Sequence, residues 1–292
     1  MIYQTTKDKI ASLMSQYKKL SKANKKALSE IAIAEIPEMV YNSNAIENST
    51  LSLQDTEQIL IYDKIKKDYN LREVYEAKNL SNIMQNLLNN PNQALTIELI
   101  LELHQILLRE ISDHIAGRFR SWKEWVRVWT HMWANPSFVN ALMYELVDKY
   151  NQNKDRYFLD NIAYFHAEFE TIHPFCDGNG RMGRVIINQQ LINLDYPPII
   201  IPNKSKKSDY YPLFDHYTKQ NKYDRFTETF ALLLMESLHK RITILTAKKI
   251  IPLNQRAKLN HQNINSTLNK AKRQTIAAFR MHGKWMIDQW AN

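Results

Sequence analysis

The sequence predicts an all-α protein with two small β additions, and three observations point there. Glycine is scarce, five in 292 residues, so few positions call for left-handed backbone. Apolar residues recur at three- and four-residue spacing over long stretches, the period of a half-buried helix. Prolines gather at boundaries, among them Pro91, Pro136, Pro197 and Pro198, where a helix stops or bends.

In chain order, residues 1–95 read as an N-terminal helical region, 96–240 as a helical core and 247–292 as a small basic module. Arg118 to Trp133, RFRSWKEWVRVWTHMW, is rich in aromatic and β-branched residues and predicts a β-hairpin. Ile162, Phe165, Phe169 and Ile172 share one helical face, so a helix over about 160–172 should deliver its end to His173, where Pro174 stops it. Val185, Ile186, Leu191 and Ile192 resume an apolar face, predicting a second helix from near Arg181 to about Leu194. Near the C-terminus, a short helix followed by two strands hinged at His282-Gly283 would make a wing.

Composition excludes several classes. A 44% hydrophobic and 24% charged chain is ordinary globular protein. The longest apolar runs, such as Phe230 to Met235, are far too short to span a bilayer. Lysines interrupt the N-terminal MIYQTTKDKIASLMSQYKKL, unlike a secretory signal. A single cysteine, Cys176, permits no intrachain disulfide and suits a reducing cytoplasm. The net charge of +9 is concentrated in the tail, where residues 247–292 carry nine lysines and arginines against one acid, Asp288. Such a tail suits an anionic partner such as nucleic acid, and equally a solvated basic face.

Three of the five glycines, Gly178, Gly180 and Gly183, fall within six residues of HPFCDGNGRMGR, residues 173–184. A glycine loop leading into a helix turns successive N–H groups toward one point, where the helix dipole adds positive charge. Arg181 and Arg184, three apart at the helix start, lie on one face and match phosphate oxygens. Asp177 can hold Mg²⁺ against a phosphate chain, since magnesium takes one or two carboxylates plus phosphate oxygens and water. His173 is suited to take a proton from an incoming hydroxyl.

The same residues carry a resemblance. HPFCDGNGRMGR resembles the signature motif of the Fic family at every defined position, HAEFETIHPF (166–175) looks like its helix into the motif, and Ala116 to Arg120 resembles the start of its target-binding flap. The likeness covers roughly residues 40–235. It implies the Fic helical bundle and transfer of AMP from ATP to a Ser, Thr or Tyr hydroxyl of a protein. His173 would then be the general base and Asp177 the Mg²⁺ ligand. Gly178, Asn179 and Gly180 would form the anion nest, and Arg181 and Arg184 would bind the phosphate chain, Arg184 at the γ-phosphate. Met182 and Gly183 complete the nucleotide-binding stretch, and Tyr210 and Tyr211 match a tyrosine-rich position near the adenine. Trp125, Val126, Arg127 and Val128 would clamp the target by strand addition.

Ser43 and Glu47, four apart, share one face of a helical turn. Ser43, Glu47 and Asn48 resemble the Ser/Thr-x-x-x-Glu-Gly/Asn inhibitory motif that one class of Fic proteins carries N-terminal to the core. By that resemblance Glu47 pairs with Arg184 and removes the γ-phosphate clamp. In some relatives the same glutamate positions a water that removes AMP.

Other readings stand beside these. Removal of AMP, transfer of another nucleotide, or a DNA-binding regulator whose core senses nucleotide are the alternatives. A Cys176/His173 hydrolase would need a thiolate and an orienting group, and Cys176 is expected to be a small buried filler. His166 is expected to be structural, because no further zinc-ligand spacing accompanies His166 and His173. The tail looks like the C-terminal part of winged-helix DNA-binding modules related to excisionases. A target-recognition role for it, and a homodimer holding the inhibitory helix, are left open by the sequence.

Overall fold

A computed structural model describes residues 2–66, 68–128, 131–132, 134–153 and 155–291. The helices are α1 (Gln4–Ala23), α2 (Lys25–Ala34), α3 (Ile36–Ile46), α4 (Leu53–Tyr62), α5 (Leu71–Asn89), α6 (Ile97–Leu108), α7 (Val139–Gln152), α8 (Phe158–Ile172), α9 (Asn179–Asn193), α10 (Tyr211–Gln220), α11 (Asp224–Thr246), α12 (Leu253–Leu259) and α13 (Ile264–Lys272). Strands β1 (Arg127–Val128) and β2 (His131–Met132) pair antiparallel, Arg127 opposite Met132. Strands β3 (Ile250–Pro252), β4 (Phe279–Met281) and β5 (Lys284–Asp288) form an antiparallel sheet of order β3-β5-β4. Among the described residues no helix is long and apolar enough to cross a membrane.

The chain forms two compact units that cut across the sequential division into 1–95, 96–240 and 247–292. The larger comprises Ile36–Tyr196 and Ile200–Thr227, the smaller Met1–Glu35, Pro197–Ile199 and Glu228–Asn292. Long-range polar contacts explain why the N-terminal segment joins α11 and the tail. Within the smaller unit Arg241 and Lys240 both pair with the buried carboxylate of Glu35, and Lys9 donates to the carbonyl of Gln274.

The core of the larger unit gathers one face each from α3, α5, α6, α7, α8 and α9, including Val40, Ile83, Leu103, Met143, Phe165 and Met182. Local chemistry sets the helix starts. Ser52 and Asp55 form a reciprocal capping box at α4, and the Thr96 side chain accepts from Leu99 N at α6.

The hairpin expectation holds over a shorter span than Arg118 to Trp133. The strands are confined to 127–128 and 131–132; Trp129, Thr130 and Trp133 lie outside the described residues. Upstream, Glu124 accepts from Ser121 N, Ser121 Oγ and the Arg118 guanidinium, so this stretch closes into a turn that propensity alone reads as strand.

Candidate active site

The motif loop lies between α8 and α9. Helix α8 ends as expected, His173 taking the left-handed conformation (φ 53°) that closes the helix before Pro174. Helix α9 starts two residues earlier than Arg181 because Gly178 (φ 82°) serves as its N-cap. That placement leaves Asn179 and Gly180 in the first turn, their amides among the donors a helix start leaves unsatisfied.

A clamp within the motif and residues distant in sequence together build the loop. The Asn179 side chain accepts from Phe175 N and donates to Phe175 O, both at 2.8 Å. Gly117 N donates to His104 Nδ1 at 3.1 Å, so the ring proton sits on Nε2, which donates to Asp177 O at 3.0 Å. The His104 ring stacks on Phe175 with centroids 3.6 Å apart, and burial lowers its pKa to about 4. The buried Arg120 donates from Nε to His173 O at 2.7 Å and from Nη2 to Ile172 O at 3.1 Å, capping α8 beneath the base. The roles of His104 and Arg120 are not visible in the motif, since their partners in it lie 53 to 73 residues away.

His173 keeps 16% of its side chain accessible, and burial, opposed by a hydrogen bond with the Glu170 backbone, lowers its pKa to about 4. The imidazole is therefore neutral at pH 7 and able to accept a proton. Glu170 lies under it, with Oε2 3.9 Å from His173 Nδ1. Burial pushes this carboxyl up to about 8 against the pull of Arg184, leaving it protonated near neutrality. A Cβ on Gly183 would stand 2.3 Å from Glu170 Oε1, so glycine is what lets α9 pass this acid.

Charges alternate around the loop. Asp177 meets Arg72 at 2.5 Å and Arg181 at 3.2 Å, while Glu76 meets Arg72 at 3.1 Å and Arg181 at 2.9 Å, closing a ring of four. Burial disfavours the Asp177 charge, but Arg181 and Arg72 outweigh it and hold the carboxyl below its ordinary value.

The segment resembling an inhibitory motif sits on this same loop. Arg184 donates from Nε to Ser43 Oγ at 2.9 Å, and from Nη2 to Ser43 O at 3.0 Å and Glu47 Oε1 at 2.7 Å. Arg184 and Arg181 hold Glu47 ionised against the cost of its burial. Helix α3 stops at Ile46, and Asn48 turns left-handed (φ 69°). Lys206 Nζ donates to Ala45 O, Ile46 O and Asn48 Oδ1 at 2.8 to 2.9 Å, and Tyr211 Oη donates to Ile46 O at 3.0 Å.

Other expectations meet a different environment. The Met182 side chain is fully buried in the core, so only its backbone, in the first turn of α9, is left to the site. Tyr210 is buried, its hydroxyl 2.8 Å from His166 Nε2, whereas Tyr211 is partly exposed. His166 is buried and neutral, burial holding its pKa at about 3. Cys176 is half-buried rather than a buried filler, because it borders Glu124; burial, then Glu124, pushes its thiol above the ordinary value, the opposite of what a Cys/His hydrolase needs. Trp125 is exposed and, with Val126, precedes β1 as irregular backbone. Among the described residues no group of three or more His, Cys, Asp and Glu side chains can hold a metal by itself.

Residues 94–191 match the family model described as Fic/DOC family. That stretch is similar to the Fic domain. The chain is 29% identical over 178 residues to protein adenylyltransferase fic-1 of Caenorhabditis elegans, covering 59% of this chain and 34% of that protein. It is 32% identical over 176 residues to protein adenylyltransferase Fic of Drosophila willistoni, covering 59% and 35%. The matches thus span about a third of the length of these curated relatives. Among solved structures, a Fic domain containing signaling protein from Bacteroides thetaiotaomicron superposes with TM-score 0.72 at 24% identity, over 88% of this chain and 98% of that one. Residues 134–508 of C. elegans Fic-1 superpose with TM-score 0.66 at 24% identity, over 81% and 71%. These likenesses establish the Fic fold.

Proposed function

We propose that this chain is a protein adenylyltransferase that moves AMP from ATP to a Ser, Thr or Tyr hydroxyl of a protein, and that Glu47 restrains it. The observation that carries the reading is one loop presenting a neutral His173, a glycine-capped helix start and Arg184, with a carboxylate seated on the arginine. The names of the relatives support the reaction class.

In this reading His173 takes the proton of the target hydroxyl as its oxygen attacks the α-phosphorus. The bond to the bridging oxygen breaks and pyrophosphate leaves. The amides of Gly178 to Gly180 meet phosphate oxygens where charge develops. Arg181 and Arg184 take the rest of the phosphate chain, and Tyr210 and Tyr211 border the adenine. Residues 125–128 offer backbone to the target as an added strand.

Mg²⁺ fits the donor set. Asp177 is an ionised carboxylate with 32% of its side chain accessible, which suits an ion shared with phosphate oxygens and water. When bound, the ion would neutralise charge on the phosphates. Glu47 blocks the arrangement by holding Arg184, since a carboxylate there repels the γ-phosphate. A reducing cytoplasm agrees with the single cysteine.

Incubation of wild type, Glu47→Gly and Glu47→Gly/His173→Ala with Mg²⁺ and ATP labelled on the α-phosphate tests the proposal. Label should appear on Glu47→Gly and vanish in the double variant. Labelling by the double variant would remove His173 as the base. No labelling by Glu47→Gly, with wild type instead releasing label from an AMP-modified substrate, would favour AMP removal by the same site.

A further inference from the structure

The smaller unit contains a feature that adenylyl transfer leaves unused. Its end runs β3, α12, α13, β4, β5, and α12 and α13 are joined by only Asn260–Asn263, the layout of a helix-turn-helix. Strands β4 and β5 turn back at His282 (φ 50°) and Gly283 (φ 71°), forming a hairpin beyond the second helix. The assembly has its own core of Ile251, Leu253, Ala271, Ala278 and Ile287. The buried Gln274 amide donates to Ala271 O and Ala278 O at 2.9 and 3.1 Å, tying the end of α13 to the hairpin.

What α13 leaves outside is selective. It buries Thr267 and Ala271 and exposes Ile264 at its first position together with Asn265, Ser266, Asn269, Lys270 and Lys272, with Arg273 exposed at its C-cap. Residues 265, 266, 269, 270 and 273 recur at helical spacing and share a face. That face holds no acid and no apolar anchor. Lys258 and Lys284, before the helix and at the hairpin tip, are exposed too. The two arginines already engaged, Arg256 with Ala291 O and Arg280 with Glu236, lie apart from this set.

We propose that this module binds duplex DNA, with α13 in the major groove and the hairpin tip on the adjoining backbone. Asparagine amides carry the donor and acceptor that match adenine in the major groove, and lysine and arginine meet the flanking phosphates. Duplex RNA is disfavoured because its deep, narrow major groove does not admit a helix. Single strands are disfavoured because the α13 face lacks an aromatic stacking platform. A protein partner would ordinarily require an apolar anchor.

Because any protein of this charge binds DNA weakly, the test compares positions. Fluorescence anisotropy of a labelled duplex would be measured with the full chain, with Lys272→Glu/Arg273→Glu, and with Lys219→Glu/Lys222→Glu, which makes the same charge change outside the module. The α13 pair should weaken binding by about tenfold or more and the control pair by less than about twofold, with a salt slope of about −4.5 for roughly five phosphate contacts. Asn265→Ala/Asn269→Ala should reduce the sequence enrichment that wild type gives from a random duplex pool while preserving the salt slope. Circular dichroism confirms that the variants are folded. Equal weakening by both charge pairs, preference for RNA or single strands, or no binding at low salt would overturn the proposal.

Discussion

The carboxylate of Glu47 accepts a 2.7 Å hydrogen bond from the Arg184 guanidinium directly over Gly180, where a Cβ would stand 2.3 Å from the same oxygen. An acid therefore sits on the helix start that the proposed reaction reserves for phosphate. Replacing it with glycine frees the guanidinium and removes a repelling charge. Glu47→Gly is expected to raise AMP incorporation on the order of a hundredfold, the scale of restoring one preorganised donor. Initial rates with labelled ATP check this, and an unchanged rate would end the inhibitory reading.

Lys206 offers a separate handle on the same restraint. Its ammonium holds Ala45 O, Ile46 O and Asn48 Oδ1 on both sides of Glu47 without touching the carboxylate in any described contact. Cutting those bonds loosens the turn while leaving the Arg184 pair able to form. Lys206→Ala should therefore give a rate between those of wild type and Glu47→Gly, and adding it to Glu47→Gly should change the rate little. A rate below wild type would place Lys206 in nucleotide binding instead.

These two residues also mark how far the sequence could be read. Glu47 was legible because Ser43 and Glu47 share a turn and resemble a motif, and the loop was legible because three glycines crowd into it. Lys206 was not, since its three bonds span about 160 residues and leave no periodic trace. Arg120, His104, Arg72 and Glu76 escaped for the same reason, acting through tertiary contacts of otherwise ordinary side chains. The flap shows the opposite failure. Strand propensity marked sixteen residues, but hydrogen bonds to Glu124 closed the first part into a turn. Helix boundaries near the site were legible to within two residues because proline and glycine set them locally.

Asn179 should matter to folding more than its motif position suggests. Both ends of its amide are buried and bonded to Phe175, so truncation leaves a backbone donor and acceptor unpaired. Asn179→Ala is expected to cost about 2 to 4 kcal/mol. Chemical denaturation followed by fluorescence measures it, and a loss under about 1 kcal/mol would show that the loop stands without this clamp.

Glu170 gives the chain a dependence of stability on pH that can be isolated. Its pKa rises from 4.5 to about 8 in the fold, so the native state keeps a proton that the unfolded chain releases. Its favourable contribution is complete below 4.5, declines as pH rises, and is gone above about 8. Depressed histidines act in the other direction: His173, at about 4 against an ordinary 6.5, lowers stability as pH falls between those values. Between pH 6.5 and 8 the depressed histidines, His104, His166, His173 and His239, finish losing their protons in the unfolded chain, an effect that Glu170→Gln shares with wild type, while Glu170 still titrates. Relative to Glu170→Gln, wild type should lose stability across that window by roughly 1 to 2 kcal/mol for a single proton. Glu170→Gln, neutral throughout, should lose correspondingly less. Denaturation midpoints of the two proteins at these pH values decide the matter, and parallel curves would mean that Glu170 is ionised in the folded state.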